Sequence, residues 1–213
     1  MIYYKPTDGE IQTTPIESRP KHCFLMTQLG EPVPEKLEEI RVEISDALEG
    51  FRYGLLDANS KVTGRDFLIK IWRLIIGVPA GIAVIHEDMT PQTLSNIFYE
   101  LGMMEAYGKE TVIVKTRKAK IPSDFLRTEY IEYGTKSAAK LKQWMRGLLD
   151  LGDFFETMAD QLEKNPLLEI DYLRRAFLIT ENEALKKRAE TIYQAAELGI
   201  RARNSVEAMM KNF

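Results

Sequence analysis

Ile82-Ala83-Val84-Ile85 is the segment that most restricts what this chain can become. No polar residue interrupts it, so as a strand it offers no face to water. It belongs at the centre of a parallel sheet with helices covering both sides. The segments around it fit that frame. His22 to Leu29 is a short apolar run ending at Gly30, Phe51 to Asp57 is a second strand candidate, Thr111 to Lys115 a fourth, and Tyr130 to Tyr133 a fifth. Between them lie helical patterns. Leu37, Ile40, Ile44 and Leu48 recur at helical spacing and stop at Gly50, where a helix C-terminus often places glycine. Phe67 to Ile76 is dense enough in apolar residues to be buried on more than one side. Thr90-Pro91 joins a capping side chain to a proline at the first helical position and opens a helix that runs to about Tyr107. Strands alternating with helices at this spacing predict βαβ units, hence an α/β domain with a five-stranded, mostly parallel sheet and helices on both faces.

The pattern changes after Gly134. Ser137 to Lys164, Leu167 to Thr180 and Glu181 to Met210 show helical periodicity without strand signals, and Leu185, Ile192, Ala196, Gly199 and Val206 mark one stripe of the last of these. Residues 1–20, rich in Pro, Gly, Ser and Thr, read as an arm. The expected organisation is an arm at 1–20, the α/β domain at 21–134 and an all-α C-terminal subdomain at 135–213.

Composition excludes several function classes. With 29 basic against 32 acidic residues, net charge is −3, too balanced for nucleic acid or an anionic membrane to be the bulk partner. A single cysteine, Cys23, rules out an intrachain disulfide and a cysteine-based metal cluster, and two histidines, His22 and His86, rule out a His-rich one. Cys23 lies in Cys23-Phe24-Leu25-Met26 and reads as a buried strand residue, with His22 on the opposite strand face. No apolar leader opens the chain and no segment is long and apolar enough to span a bilayer, so a cytoplasmic protein is expected. Neither a Walker loop nor a Gly-x-Gly-x-x-Gly run occurs, so kinase, NTPase and ordinary dehydrogenase chemistry lack support.

In an open parallel sheet, ligands bind beyond the carboxyl ends of the strands. Three polar clusters are expected there: Asp57 to Asp66, His86 to Thr90, and the following helix, on which Asn96 and Glu100 are four residues apart and share a face. Leu94, Phe98 and Leu101 lie on roughly the opposite side, suited to packing on the sheet. A carboxylate near the crevice can attack a glycosidic carbon or stabilise an oxocarbenium-like transition state while a base departs. Asn96 could hold a ribose hydroxyl and Tyr99 flank the site. Most glutamates on amphipathic helices are solvated surface groups, so spacing alone carries little weight. Arg52, Lys61 and Arg65 lie near predicted crevice loops; Arg65 is the favoured phosphate contact, because Thr63-Gly64 before a helix makes an anion-friendly terminus.

Asn96-Ile97-Phe98-Tyr99-Glu100-Leu101-Gly102, followed by Tyr107-Gly108-Lys109 and a valine-rich strand, resembles the nucleoside 2-deoxyribosyltransferase-like superfamily, whose relatives include nucleotide N-glycosidases and TIR-type NAD-cleaving domains. Cys23 to Met26, Asp66 to Ile76, Ile121 to Phe125 and Tyr130 to Tyr133 extend the resemblance over about residues 22–134. It implies a flavodoxin- or Rossmann-like, TIR-like fold, with Glu100 as the catalytic carboxylate and an acidic residue after the preceding strand, Glu87 or Asp88, holding the sugar. Where relatives carry a Met-Pro-Phe-like turn after the first strand, this chain has Met26-Thr27-Gln28-Leu29, and the loop from Glu87 to Ser95 is longer than usual. The implied activity is cleavage of an N-glycosidic bond in a nucleotide, a nucleoside or NAD, the last as substrate, without a metal or bound cofactor. The resemblance also suggests an effector role in bacterial antiviral defence. A non-catalytic nucleotide-sensing module, with the helices mediating homo-oligomerisation or contact with a protein partner, is the alternative.

Overall fold

Short runs of apolar residues form five strands: β1 (His22–Met26), β2 (Gly54–Asp57), β3 (Ala80–Ile85), β4 (Glu110–Lys115) and β5 (Tyr130–Glu132). They make one sheet in the order β2-β1-β3-β4-β5, and every pairing is parallel. The order is that of a doubly wound α/β sheet whose direction reverses between β1 and β3. Helices α1 (Glu35–Glu49), α2 (Phe67–Gly77) and α3 (Pro91–Ala106) follow the first three strands, and α4 (Ser137–Asp160), α5 (Pro166–Thr180), α6 (Glu183–Ala195) and α7 (Ile200–Met210) follow the sheet. The structure, a computed structural model, describes residues 3–10, 12, 14–29, 33–58, 67–125, 129–210 and 213. Among them no helix is long and apolar enough to cross a membrane.

The chain forms two compact units. One comprises residues 22–67 and 80–147, the other 1–21, 68–79 and 148–213. In the first, the five expected strands are all present, and β3 is buried along its whole length, as its unbroken apolar run predicts. Register sorts the faces. Phe24, Gly81 and Thr111 share one side of the sheet, and Leu25, Asp57 and Ile82 share the other. The β1-α1-β2 connection runs toward one edge and β3-α3-β4 toward the other. Right-handed crossovers therefore put α1 and α3 on opposite faces. Side chains agree: Arg41 of α1 bonds Asp57, whereas Glu105 of α3 accepts from the Thr111 hydroxyl at 3.2 Å. Gly81 leaves room under α3, because a Cβ there would stand 2.7 Å from Met104 Cε.

One boundary moved from its expected place, the start of β2. The glycine after α1 does not take the left-handed conformation: Gly50 has φ −58°, and Arg52 takes φ +60° instead. Tyr53 N–H donates to Leu48 O at 3.1 Å and Arg52 N–H to Glu49 O at 2.8 Å, the paired closure of a Schellman turn. The turn uses up Phe51 to Tyr53, so β2 starts at Gly54. Arg52 thus lies ahead of the amino end of β2, away from the crevice edge to which it was assigned.

In the second unit α5, α6 and α7 surround a core that includes Leu173, Phe177, Leu185, Val206 and Phe213, with the last pair of rings at 5.4 Å from Phe177 to Phe213. The expected stripe holds at Leu185 and Val206, but the single helix expected over 181–210 is two, interrupted at Ala196, which is extended (ψ 130°). The arm segment at Glu17–Arg19 lies against the end of α2. Arg19 N–H donates to Gly77 O at 2.7 Å, and a Cβ on Gly77 would fall 2.4 Å from Glu17 O. Backbone cannot step aside as a side-chain tip can. Gly77→Ala is therefore expected to destabilise by about 1–3 kcal/mol. Gly102→Ala, inside α3 with nothing within 4 Å of the added carbon, should instead stabilise by about 0.5–1 kcal/mol. Denaturant titration of the pair checks both signs.

Candidate functional site

Thr90 starts α3 as designed by its sequence: its side chain accepts from Thr93 N–H at 3.1 Å, and Pro91 occupies the first turn. The helix then runs back along the sheet. Met104 lies over Gly81, near the amino end of β3. Glu100 is one turn earlier, about 6 Å nearer the carboxyl ends, which sets it over the level of Ala83. It is only 9% exposed and shares the buried side of α3 with Ile97, Leu101 and Met104. Among the described residues no side chain donates a hydrogen bond to it. Burial in this apolar setting pushes its carboxyl up to about 7.

The remaining expected residues are distributed as follows. Asn96 is exposed and Tyr99 is 50% exposed. A four-residue step turns a helix by more than a full circle, enough here to leave Asn96 in solvent while Glu100 is covered. Leu94 and Phe98 are partly exposed; the sheet-facing side keeps Leu101 as expected and takes Ile97 and Met104 in place of the other two. Phe98 stacks on Phe125 of the 3-10 turn at Ser123–Phe125, with ring centroids 4.9 Å apart.

Glu87 and Asp88 follow β3 and flank buried His86. Asp88 N–H donates to His86 Nδ1 at 3.1 Å, and its carboxylate is 80% exposed. Glu87 accepts a hydrogen bond from the buried Thr116 hydroxyl just past β4, and that bond above all holds its carboxyl below the usual range. Thr116 N–H also donates to Ile85 O at 3.0 Å. The two loops at the carboxyl edge are tied together through this pair, which leaves Asp88 the more open carboxylate. Asp57, 7% exposed at the end of β2, is bonded by Arg41 on the α1 face, with the sheet between it and α3. Arg65, with Lys61, Thr63, Gly64 and Asp66, lies outside the described residues.

Sequence reasoning singled out neither Thr116 nor Arg41. Both are polar residues placed by tertiary pairing, Thr116 by the β3–β4 register and Arg41 by one turn of α1, and neither belongs to a local motif. Cys23 is fully buried, as expected of a strand residue in an apolar run, and desolvation pushes its thiol above its ordinary range. Among the described residues no cluster of His, Cys, Asp and Glu is arranged to hold a metal ion. No family model matches the chain, and no curated protein matches it.

Proposed function

We propose that this chain cleaves the bond between ribose C1′ and a base in a nucleotide, a nucleoside or NAD, with Glu100 as the reacting carboxylate. The observation that carries the reading is Glu100 itself: a buried carboxyl without a partner among the described residues, on the helix that follows the central strand, raised to about 7. An unpaired acid in such a place costs stability and does no packing that leucine would not do better, which is the mark of a group kept for chemistry. Its position in Tyr99-Glu100-Leu101-Gly102 agrees with the superfamily resemblance. As a nucleophile, the carboxylate attacks C1′ while the C1′–N bond breaks and its electron pair leaves with the base; a purine or pyrimidine then takes a proton from solvent, whereas nicotinamide departs neutral from its cationic ring. Water then hydrolyses the glycosyl ester. As a stabiliser, the same carboxylate faces the oxocarbenium-like centre while water attacks directly. Asp88 or Glu87 would hold the sugar, with Asn96 and Tyr99 at the margin and Arg65 on phosphate. The setting is the cytoplasm, as an effector of antiviral defence, without a bound cofactor.

Both roles need the ionised form, so turnover should rise with pH through about 7 and then level. Incubation with NAD and a panel of nucleosides and nucleotides, followed by chromatography, tests the reading. Product is expected from at least one of them, and Glu100→Gln is expected to lower turnover at least a hundredfold. Equal turnover by the variant would remove Glu100 from the mechanism.

One observation favours a second reading, a binding module that senses a nucleotide and relays it through the helical tail to a second copy or a partner. Glu100 is covered, and an open cleft lies on the other face of the sheet. Saturable binding without product would support this reading.

A further inference from the structure

Helix α5 carries the buried charged side chains Glu169, Asp171 and Arg174. Arginines answer both acids: Arg188 bonds Glu169, and Arg175 bonds Asp171 at 3.0 Å. No acid answers Arg174 among the described residues. It is 4% exposed, and its partners are two hydroxyls of the arm: Nη1 donates to Tyr3 Oη and Nη2 to Ser18 Oγ, each at 3.3 Å. Its Nε–H is buried and bonds nothing. All three residues belong to the same compact unit.

A guanidinium stays charged when buried, and burial without a counter-charge is costly. Two long bonds to neutral oxygens offset little of that cost. Nε and one Nη form the fork edge that takes two oxygens of an oxyanion side by side. On that edge Ser18 holds the Nη2 end, and the Nε end stands unused. The Tyr3 and Ser18 hydroxyls can also donate, so fork and hydroxyls together reach more acceptor oxygens than a carboxylate has. The set suits a tetrahedral oxyanion. Tyr3 and Ser18 are themselves only partly buried. A turn of roughly 120° about χ1 withdraws such a side chain and leaves the backbone at Arg19, which donates to Gly77 O, in place.

The geometry points to a binding site at Arg174 for a phosphate group, inorganic phosphate or the end of a phosphate monoester, whose oxygens take the places next to the guanidinium that the Tyr3 and Ser18 hydroxyls hold. The site is in the helical unit and uses no residue of the catalytic reading, so either can fail without the other. Isothermal titration of the full chain at constant ionic strength, with inorganic phosphate, glycerol 3-phosphate, acetate and chloride, tests it. Phosphate is expected to bind saturably, acetate roughly tenfold more weakly, and chloride not at all. Equal binding of glycerol 3-phosphate identifies a monoester site, and its exclusion a site for the free ion. Arg174→Met should abolish binding. Arg174→Lys should weaken it by roughly tenfold or more, because an ammonium has no fork. Ser18→Ala and Tyr3→Phe should each weaken it several-fold, and Glu100→Gln should leave it unchanged. No binding of phosphate, binding that survives Arg174→Met, acetate as tight as phosphate, or indifference to both Ser18→Ala and Tyr3→Phe would each overturn the assignment. A lower melting temperature for Arg174→Met, with no effect of phosphate on the parent protein, would make Arg174 a pin for the arm and nothing more.

Discussion

Glu100→Gln is expected to make the protein more stable at pH 8 by about 3 kcal/mol while leaving it unchanged near pH 4.5. In the folded chain the carboxyl is raised from an ordinary 4.5 to about 7, because burial disfavours its charged form. Below pH 4.5 folded and unfolded chains both carry the proton, and Glu100 contributes no pH dependence. Between 4.5 and 7 the unfolded chain has lost the proton and the folded chain still holds it, so stability falls as pH rises. Above 7 both are ionised and the full penalty persists. Glutamine matches the shape and polarity of the protonated acid but never ionises, so the difference between the two proteins isolates the cost of the charge. For a chain of this size the expected gain in Tm at pH 8 is on the order of 5–10 °C, and thermal melts across pH 4.5–8.5 measure it. Parallel pH profiles for the two proteins would mean that the carboxylate is solvated or paired when charged, and the argument that it is retained for chemistry would lose its physical basis. A variant that gains stability while losing turnover is the expected outcome, because a strained functional group is often a trade of one for the other.

The sheet could be read from the chain because its strands announce themselves locally. An unbroken Ile82–Ile85 has one stable environment, a central parallel strand, and Thr90-Pro91 has one common use, a helix start. Burial and the capping bond appear at those places. Reading failed where a local signal had two physical solutions. Gly50 does follow the last residue of α1, but Arg52 and not the glycine takes the left-handed position. The stripe through Ala196 and Gly199 is compatible with one helix or with two that share a core, and the chain takes the second form.

The site was less legible for the same reason on a larger scale. Helical spacing said only that Asn96 and Glu100 are neighbours. Which of them is covered depends on how α3 is rotated against the sheet, and that is set by Met104 lying over Gly81. The ambiguity between Glu87 and Asp88 also turns on a distant group: Thr116, which engages Glu87 and leaves Asp88 exposed, is 29 residues away in sequence. Asp57 was placed at the carboxyl edge by its position ending β2, where it lies. Its face followed only from strand register and from Arg41.

Arg188→Ala is expected to lower stability by about 3 kcal/mol, although Arg188 is itself one-third exposed. The reason lies in its partner. Glu169, on α5, has a side chain only 7% exposed, and its Oε1 accepts from Arg188 Nη2 of α6 at 2.6 Å. Arg188 also reaches Asp160 at the end of α4. The exposed Asp160 bond adds little, since water replaces it readily. The buried one cannot be replaced: without Arg188, the Glu169 carboxylate keeps its desolvation cost and loses what offsets it. Among the described residues no other side chain donates to the Glu169 carboxylate. Glu169→Gln together with Arg188→Met should therefore recover most of the loss, because the pair would be replaced by a neutral amide and an apolar chain of similar length. Chemical denaturation of the single and double variants decides between this view and a packing role for the arginine stem. If the double variant is as unstable as Arg188→Ala, the stem's contacts, not the uncompensated charge, hold α6 against α5.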